Sequence, residues 1–444
     1  MSARNLTSRP CPSRGPACAI GELRIRVNSP ARPVNRTASG PLTSRIEHAA
    51  GRTGLASAPV QGQTAEEFET VIRPKVKHGL ALVAMTVILA GCSSAAGTQG
   101  VQGATAGDTT KAADQAKTFE TYGAPNSWAN YGQEFTDFCM AKFSFDCNRT
   151  DRSQGEDMSS AEEIAAYDAE KNNPKAILAD IGILFAGAAE KKGVLSSYVA
   201  AGATKLPSYL YGQNGGWEAT FVGVPGFVVN VDYLTSKGIA VPQSWADLAK
   251  SQYKGLVGFG KPGSSGTATM AFVAMNLAAG GTLTDYGKGI TYAKQLLSNI
   301  QGVPEGNADQ FEKGAVPIQI KYDFNLIALA NQEKAKSINA QVVIPSDGSI
   351  YAPSAIIMNK YDTAHADFGS MFMDWILTDQ GQTDFAKFGA RPIRYVLGQL
   401  TLPDSAKSLW LPDSQYTQVK TVDTSKIDIA NIADIWQNQV GAGG

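Results

Sequence analysis

Two stretches constrain this chain most: ATFVGVPGFVVNVDYL at residues 219–234 and AQVVIPSDGSIYAPSAIIMNK at residues 340–360. Each is a pair of apolar runs broken in the middle, the first at Pro225 and Gly226, the second at Pro345 and Gly348. Each is long enough to cross from one lobe of a protein to another, with a hinge where proline and glycine interrupt the pairing. Around them, apolar runs alternate with amphipathic segments. The run AILADIGILF, residues 176–185, carries a single acid, Asp180, and such continuous apolar runs suit parallel strands covered by helices on both faces. Alternation of strand and helix along the chain argues for an α/β protein.

The body of the chain reads in order. A strand near Thr118–Tyr122 is followed by the turn Gly123-Ala124-Pro125-Asn126 and by a helix whose Trp128, Tyr131, Phe135 and Phe138 form a core-facing stripe. A strand is expected near Phe143–Cys147. Ser159 and Glu162 then form a capping box, and Pro174 marks the end of that helix. Further helices are expected around Ser244–Lys250 and Tyr286–Asn299. FEKGAVPIQIKYDFN carries a strand expected to end in Tyr322, Asp323 and Asn325. A strongly amphipathic helix holds Phe368, Met371, Phe372, Trp375 and Ile376 near the close.

The front of the chain is of another kind. Lys75, Lys77 and His78 precede a mostly apolar run, Gly79–Ala90, which is too short to span a bilayer but suits the core of a secretion signal. It ends in Leu89-Ala90-Gly91-Cys92, which resembles a bacterial lipobox, with Cys92 as the lipidated residue. Residues 71–91 are thus expected to be a lipoprotein signal peptide. Residues 1–70, rich in Arg, Pro, Ser and Gly, are expected to be disordered or not translated at all. From 92 to 116 a run of mostly small and polar residues reads as a flexible tether.

Charge and cysteine usage agree with export. Beyond Gly91 the chain carries 27 Lys and Arg against 35 Asp and Glu, an acidic balance without a basic stripe, which argues against nucleic acid as a partner. Cys139 and Cys147 remain as an even pair, and an oxidising compartment favours a disulfide between them over two reduced buried thiols. Two cysteines without neighbouring histidines make a poor metal site, and no metal or cofactor is expected.

GLVGFGKPGSSGTATMAFVAMNLAAGG, residues 255–281, reads as a short strand, a Gly/Ser turn and a helix beginning at Ser264, Ser265, Gly266 and Thr267. The first N–H groups of such a helix and the positive end of its dipole favour an anion. The plainer reading is a capped helix, with Ser264 or Ser265 as N-cap and Gly280 and Gly281 as the stop. On this stretch alone both readings stay open.

Two crossings with an α/β lobe between them, behind a lipobox and a tether, resemble an extracellular solute-binding protein of an ABC importer. The fold implied is α/β, a two-lobe type II periplasmic binding protein with a central ligand cleft, and the resemblance is to the group of ferric-ion, phosphonate and polyamine binders. GVPGFVVNVDYL, PQSWADLA, KPGSSGTATMAF, FEKGAVPIQIKYDFN, VVIPSDGSIYAPSAIIMNK and MFMDWILTDQGQTDFAKFGARPIR carry it through their order and spacing. It implies one lobe from residues 117–226 and 345–444 and another from 227–344, closing by a hinge over the ligand. It also implies that Ser264, Ser265, Gly266 and Thr267 hold an anionic group, that Tyr122 and Asn126 line the cleft, and that Tyr322 and Asp323 face it, with Asp323 receiving an ammonium group. Asp180 and Trp217 are weaker candidates. Ferric-ion relatives carry two adjacent tyrosines near Tyr322, and here Asp323 follows it, which argues against direct iron binding. The implied partners are a small solute, the permease of an ABC transporter and, through the lipid, the membrane of the cell envelope, with the protein itself a monomer.

The solute expected is anionic or zwitterionic, such as an aminophosphonate, with a polyamine or a ferric chelate as the alternative. The rival class is a secreted hydrolase working through paired carboxylates. His365 is the only histidine after Cys92, so a histidine triad or a multi-histidine zinc site has no basis in the sequence, and no catalytic residue is assigned.

Overall fold

The computed structural model describes residues 107–126, 128–152, 158–300 and 306–441. All of these belong to Ser94–Gly444, one of the two units into which the chain divides. The expected leader, signal peptide and lipidation site at Cys92 lie outside the described residues.

In chain order the strands of the first half are β1 (Phe119–Tyr122), β2 (Arg149–Asp151), β3 (Ala176–Gly182), β4 (Trp217–Gly223), β5 (Pro225–Asn230) and β6 (Val257–Gly258). Those of the second half are β7 (Ile318–Tyr322), β8 (Ala340–Val343), β9 (Ser349–Ile350), β10 (Ala352–Met358), β11 (Arg391–Pro392) and β12 (Val419–Lys420). The helices that bear on the site are α1 (Thr109–Gln115), α2 (Tyr131–Phe143), α3 (Ser160–Ala169), α4 (Gly266–Ala278), α5 (Gly287–Leu297), α6 (Asp323–Ala335), α7 (Ala366–Ile376) and α8 (Ile429–Asp434).

Two sheets organise these elements. The larger runs β11-β4-β10-β3-β1-β2, with β1 parallel to β2 and β3, and β10 antiparallel to both β3 and β4. The smaller runs β6-β7-β5-β8, with β5 antiparallel to β7 and β8. Only Val224 separates β4 in one sheet from β5 in the other, so the first proline-broken stretch does pass between sheets. The second returns from β8 through Ile344–Gly348 to β9 and β10. Val224, Ile344 and Tyr416 pack together in a small apolar cluster of their own where these passages lie side by side.

Packing follows the apolar stripes seen in the sequence. On the larger sheet, Phe135 of α2 stacks on Phe372 of α7 with ring centroids 4.0 Å apart, and Phe119, Phe138 and Phe368 close around them. Each such ring removes apolar area that is worth a few kcal/mol in water. Cys139 and Cys147 form a disulfide that closes the loop after α2.

Three expectations are corrected. The tether does not reach residue 116: Asp108 caps α1, and Ala112 and Ala116 are fully buried. Asp367 at the start of α7 accepts from Asp108 N, and Gln115 Oε1 accepts from Phe368 N. Small alanines let this helix sit close without any large apolar side chain, so its composition resembled a linker. Residues 143–147 are not a strand, because α2 runs to Phe143 and the disulfide loop follows, with the strand itself at Arg149–Asp151. The C-terminal residues do not all stay with the larger sheet. After β12 pairs with β9, α8 and the π-helical turn Ile435–Val440 pack beside α4 and α5, where Trp436 lies 5.7 Å from Phe259 and 5.7 Å from Phe272.

Candidate functional site

A cleft of about 490 Å³ lies between the two sheets. From the larger sheet's side it is lined by Gly123, Pro125, Trp128, Met158, Ser159, Ser160, Glu163, Asp180, Gly182 and Ser354. Ser264, Ser265, Gly266, Thr267, Lys321, Tyr322 and Asn325 line it from the smaller sheet's side. Its volume falls in the range of small-molecule sites.

Three helix starts open into it. Ser265 is the N-cap of α4 and accepts from Ala268 N, while helix geometry leaves the N–H groups of Gly266 and Thr267 without an intrahelical acceptor. The turn before it is held from behind: Gly263 N and Ser265 O are tied to Thr269 Oγ1. Gly263 has φ +85° and lies against Ala433 of α8, where a Cβ would come within 2.4 Å of Ala433 Cα. On the opposite wall Ser159 caps α3 in a capping box with Glu162, and Ser160 Oγ accepts from Gly182 N at the end of β3. The third start is that of α6, with Tyr322 as N-cap and Asn325 in its first turn. Tyr322 packs closely on Gly223, where a Cβ would stand 2.4 Å from its ring. Lys321, next to it, donates to Gly306 O, and among the described residues no carboxylate pairs with it.

Two acids face these starts. Asp180 on β3 accepts from Trp128 Nε1 at 2.8 Å and Tyr131 Oη at 2.9 Å, yet burial outweighs these bonds and lifts its carboxyl to about 7. Glu163 on α3 is 1 % exposed, and its Oε2 meets no hydrogen-bond partner among the described residues. Burial, then the nearby Asp180, push its carboxyl well above the usual range. Gly123, at φ +61°, is pressed against this pair, since a Cβ there would run into Glu163 Oε1 and Asp180 O.

The sequence-derived candidates divide. Ser264, Ser265, Gly266, Thr267 and Tyr322 all line the cleft, as do Asp180 and Trp128. Tyr122 does not: its hydroxyl bonds Glu170 at 2.8 Å on the far side of β1. Asn126 does not either, because Arg149 takes its side-chain oxygen, and the same guanidinium bonds Ala124 O, fixing the turn from behind. Trp217 donates to Glu190 away from the cleft. Asp323 is corrected as well. It begins a helix instead of ending a strand, is 1 % exposed, and spends its carboxylate on Val224 N at 2.9 Å and Tyr416 Oη at 2.8 Å. Glu163, Ser160, Lys321 and Asn325 were not singled out from the sequence as site residues. The one available signal was the Ser159-Ser160 pair at a helix start, which mirrors Ser264-Ser265.

Among the described residues no helix is long and apolar enough to cross a membrane, and no group of three or more His, Cys, Asp or Glu is placed to hold a metal ion. A family model described as bacterial extracellular solute-binding protein matches residues 177–417, just over half of the chain. No curated protein gives a sequence match. Among solved structures, the chain is similar to a periplasmic binding protein from Actinobacillus pleuropneumoniae with exogenous fructose-6-phosphate bound, at 19% identity and a TM-score of 0.57 over 73% of this chain and 99% of that one. It is similar to a ferric binding protein from Campylobacter jejuni at 18% identity and a TM-score of 0.55, over 73% and 99% of the two chains. A putative spermidine/putrescine ABC transporter protein from Listeria monocytogenes matches at 12% identity and a TM-score of 0.50, over 74% and 100%. At these identities the likeness is one of fold, the two-lobe arrangement with a cleft between lobes.

Proposed function

This chain belongs to the bacterial extracellular solute-binding proteins, and from that premise we propose that its cleft captures a small anionic or zwitterionic solute, such as a phosphonate, for import. The family and the structural neighbours are binding proteins rather than enzymes, which sets the hydrolase reading aside. Solute-binding proteins of ABC importers hand their solute to a membrane permease. The lobes proposed here are those around the two sheets, with Val224 and Ile344–Gly348 as hinges and with the C-terminal residues from α8 onward counted with the smaller sheet. The lipobox at Cys92 supports a lipid anchor that holds a monomer at the outer face of the membrane.

The observation that carries the anionic reading is the convergence of three helix starts and the Lys321 ammonium on one cleft. Helix starts supply oriented N–H groups and a positive potential, and hydroxyls of Ser160, Ser264 and Thr267 stand among them. The fructose-6-phosphate carried by one neighbour is an anion of the kind such a site would hold. A polyamine is the second reading, favoured by Glu163, Asp180 and the Trp128 ring.

A thermal-shift panel of phosphonates, phosphate esters, carboxylates, polyamines and ferric chelates tests this. A phosphonate or phosphate ester at a hundredfold excess over its Kd is expected to stabilise the protein by about 2.7 kcal/mol without being converted. A panel in which polyamines alone raise the melting temperature overturns the anionic reading.

A further inference from the structure

We propose that Glu163 and Asp180 form a cation-selecting end of the cleft, so that the solute carries an ammonium group opposite its anionic one. This deepens the reading of the site as an anion receptor and rests on it. The first support is an unmatched atom. Glu163 is 1 % exposed, lines the cleft, and leaves Oε2 without a partner among the described residues. A buried carboxyl oxygen left without a donor is costly, and a ligand N–H removes that cost. Asp180, 7 % exposed, lines the same wall with both oxygens already used by Trp128 and Tyr131.

The second support is the surroundings. Trp128 lines the same cleft and is fixed by its bond to the Asp180 carboxyl. Carboxylates together with an aromatic face suit an ammonium group better than a hydroxyl, which has no charge for either to favour. Gly123 shows how tightly the carboxyl is held, because any side chain there would meet Glu163 Oε1. Two of the three helix starts, those of α4 and α6, lie with Lys321 on the other wall, so a short zwitterion would span the cleft and be gripped by both lobes at once.

Asp151 on β2 and Glu162 on α3 repel Glu163, Tyr131 of α2 bonds Asp180, and Tyr167 of α3 is buried nearby. Among the described residues no Lys or Arg pairs with either carboxyl. In the empty cleft burial favours the protonated form of both carboxyls, and an arriving ammonium group favours the charged form. Binding of the zwitterion then releases protons to the solvent.

Isothermal titration of 2-aminoethylphosphonate and of ethylphosphonate, which keeps the anion and lacks the amine, tests the inference on the intact exported chain. The amine is expected to raise affinity at least tenfold. Repeating the titration near neutral pH in buffers of different ionisation enthalpy should show proton release for the amine alone. Glu163→Gln should erase most of the tenfold difference and of the proton release, a readout that a purely structural role would not move. Equal binding of the two phosphonates by the wild type overturns the inference and leaves the anion reading intact. Failure of both to bind overturns the anion reading, and this inference falls with it.

Discussion

Asp323 at the crossing and Glu163 in the cleft are equally buried acids, yet the structure treats them in opposite ways. Asp323 exchanges backbone bonds with Val224 on both sides, since its N–H donates to Val224 O and its Oδ1 accepts from Val224 N, each at 2.9 Å. Its Oδ2 accepts from Tyr416, and the Arg391 guanidinium lies 3.7 Å from the centre of that tyrosine ring. Among the described residues one oxygen of Glu163 has no donor, and a repelling acid stands beside it. Burial is thus no guide to function in this fold. What separates Asp323 from Glu163 is whether each carboxyl oxygen already has a donor.

The largest effect that would break this comparison is at the crossing. Asp323→Ala leaves the N–H of Val224 and the hydroxyl of Tyr416, both in buried residues, without the carboxylate that accepts from them. Leaving a buried donor without its acceptor costs about 1–3 kcal/mol, and denaturant or thermal melting should show it. A stable variant that has lost solute affinity would instead return Asp323 to the cleft.

Glu163→Gln should act in the other direction, and its sign depends on pH. The folded carboxyl of Glu163 is held above its unfolded value by burial, so the folded state keeps a proton that the unfolded state has already lost. Stability from this group is therefore full below the unfolded pKa and falls as pH rises towards the folded one. Gln does not titrate. The stability of the wild type relative to the variant should therefore fall as pH rises from 4 to 8. Melting curves across that range check this, and a variant less stable than wild type at pH 8 would show that Glu163 has a hidden partner.

The same contrast explains how far the sequence was legible. Ser264–Thr267 could be read because a glycine turn, a cap and a helix are local, and a local motif states which way its N–H groups point. Both crossings were legible because proline and glycine break an apolar run in the chain itself. Tyr122 and Asp323 failed for another reason. Each stands beside a residue that does line the cleft, Gly123 and Tyr322, and adjacency does not tell which face a side chain takes. Tyr122 sits on a strand whose neighbours alternate between faces. Asp323 is where strand becomes helix, so its direction was set by a turn that the run KYDFN does not announce. Glu163 is the converse case: its neighbour Glu162 had an evident capping role, and nothing local distinguished the second acid of the pair. Partner accounting needs residues distant in sequence, Asp180 for Glu163 and Tyr416 for Asp323.

Tyr416→Phe is the finest probe, because it removes a single hydroxyl from the consumed side of the comparison. The ring stays in the cluster with Val224 and Ile344 and stays under the Arg391 guanidinium, so packing and the cation–π contact are kept. The 2.8 Å bond to Asp323 Oδ2 is lost together with the hydroxyl's interaction with Arg391, which predicts a destabilisation of about 1 kcal/mol. Asp323 retains its two bonds with Val224, so the path of the chain between the sheets should hold, and phosphonate affinity should stay within about twofold. Parallel melting and titration of this variant separate the two quantities. If affinity falls further than stability, the crossing contributes to solute capture through the lobe geometry it sets, and the division between a consumed hinge acid and an unconsumed cleft acid would have to be redrawn at Tyr416.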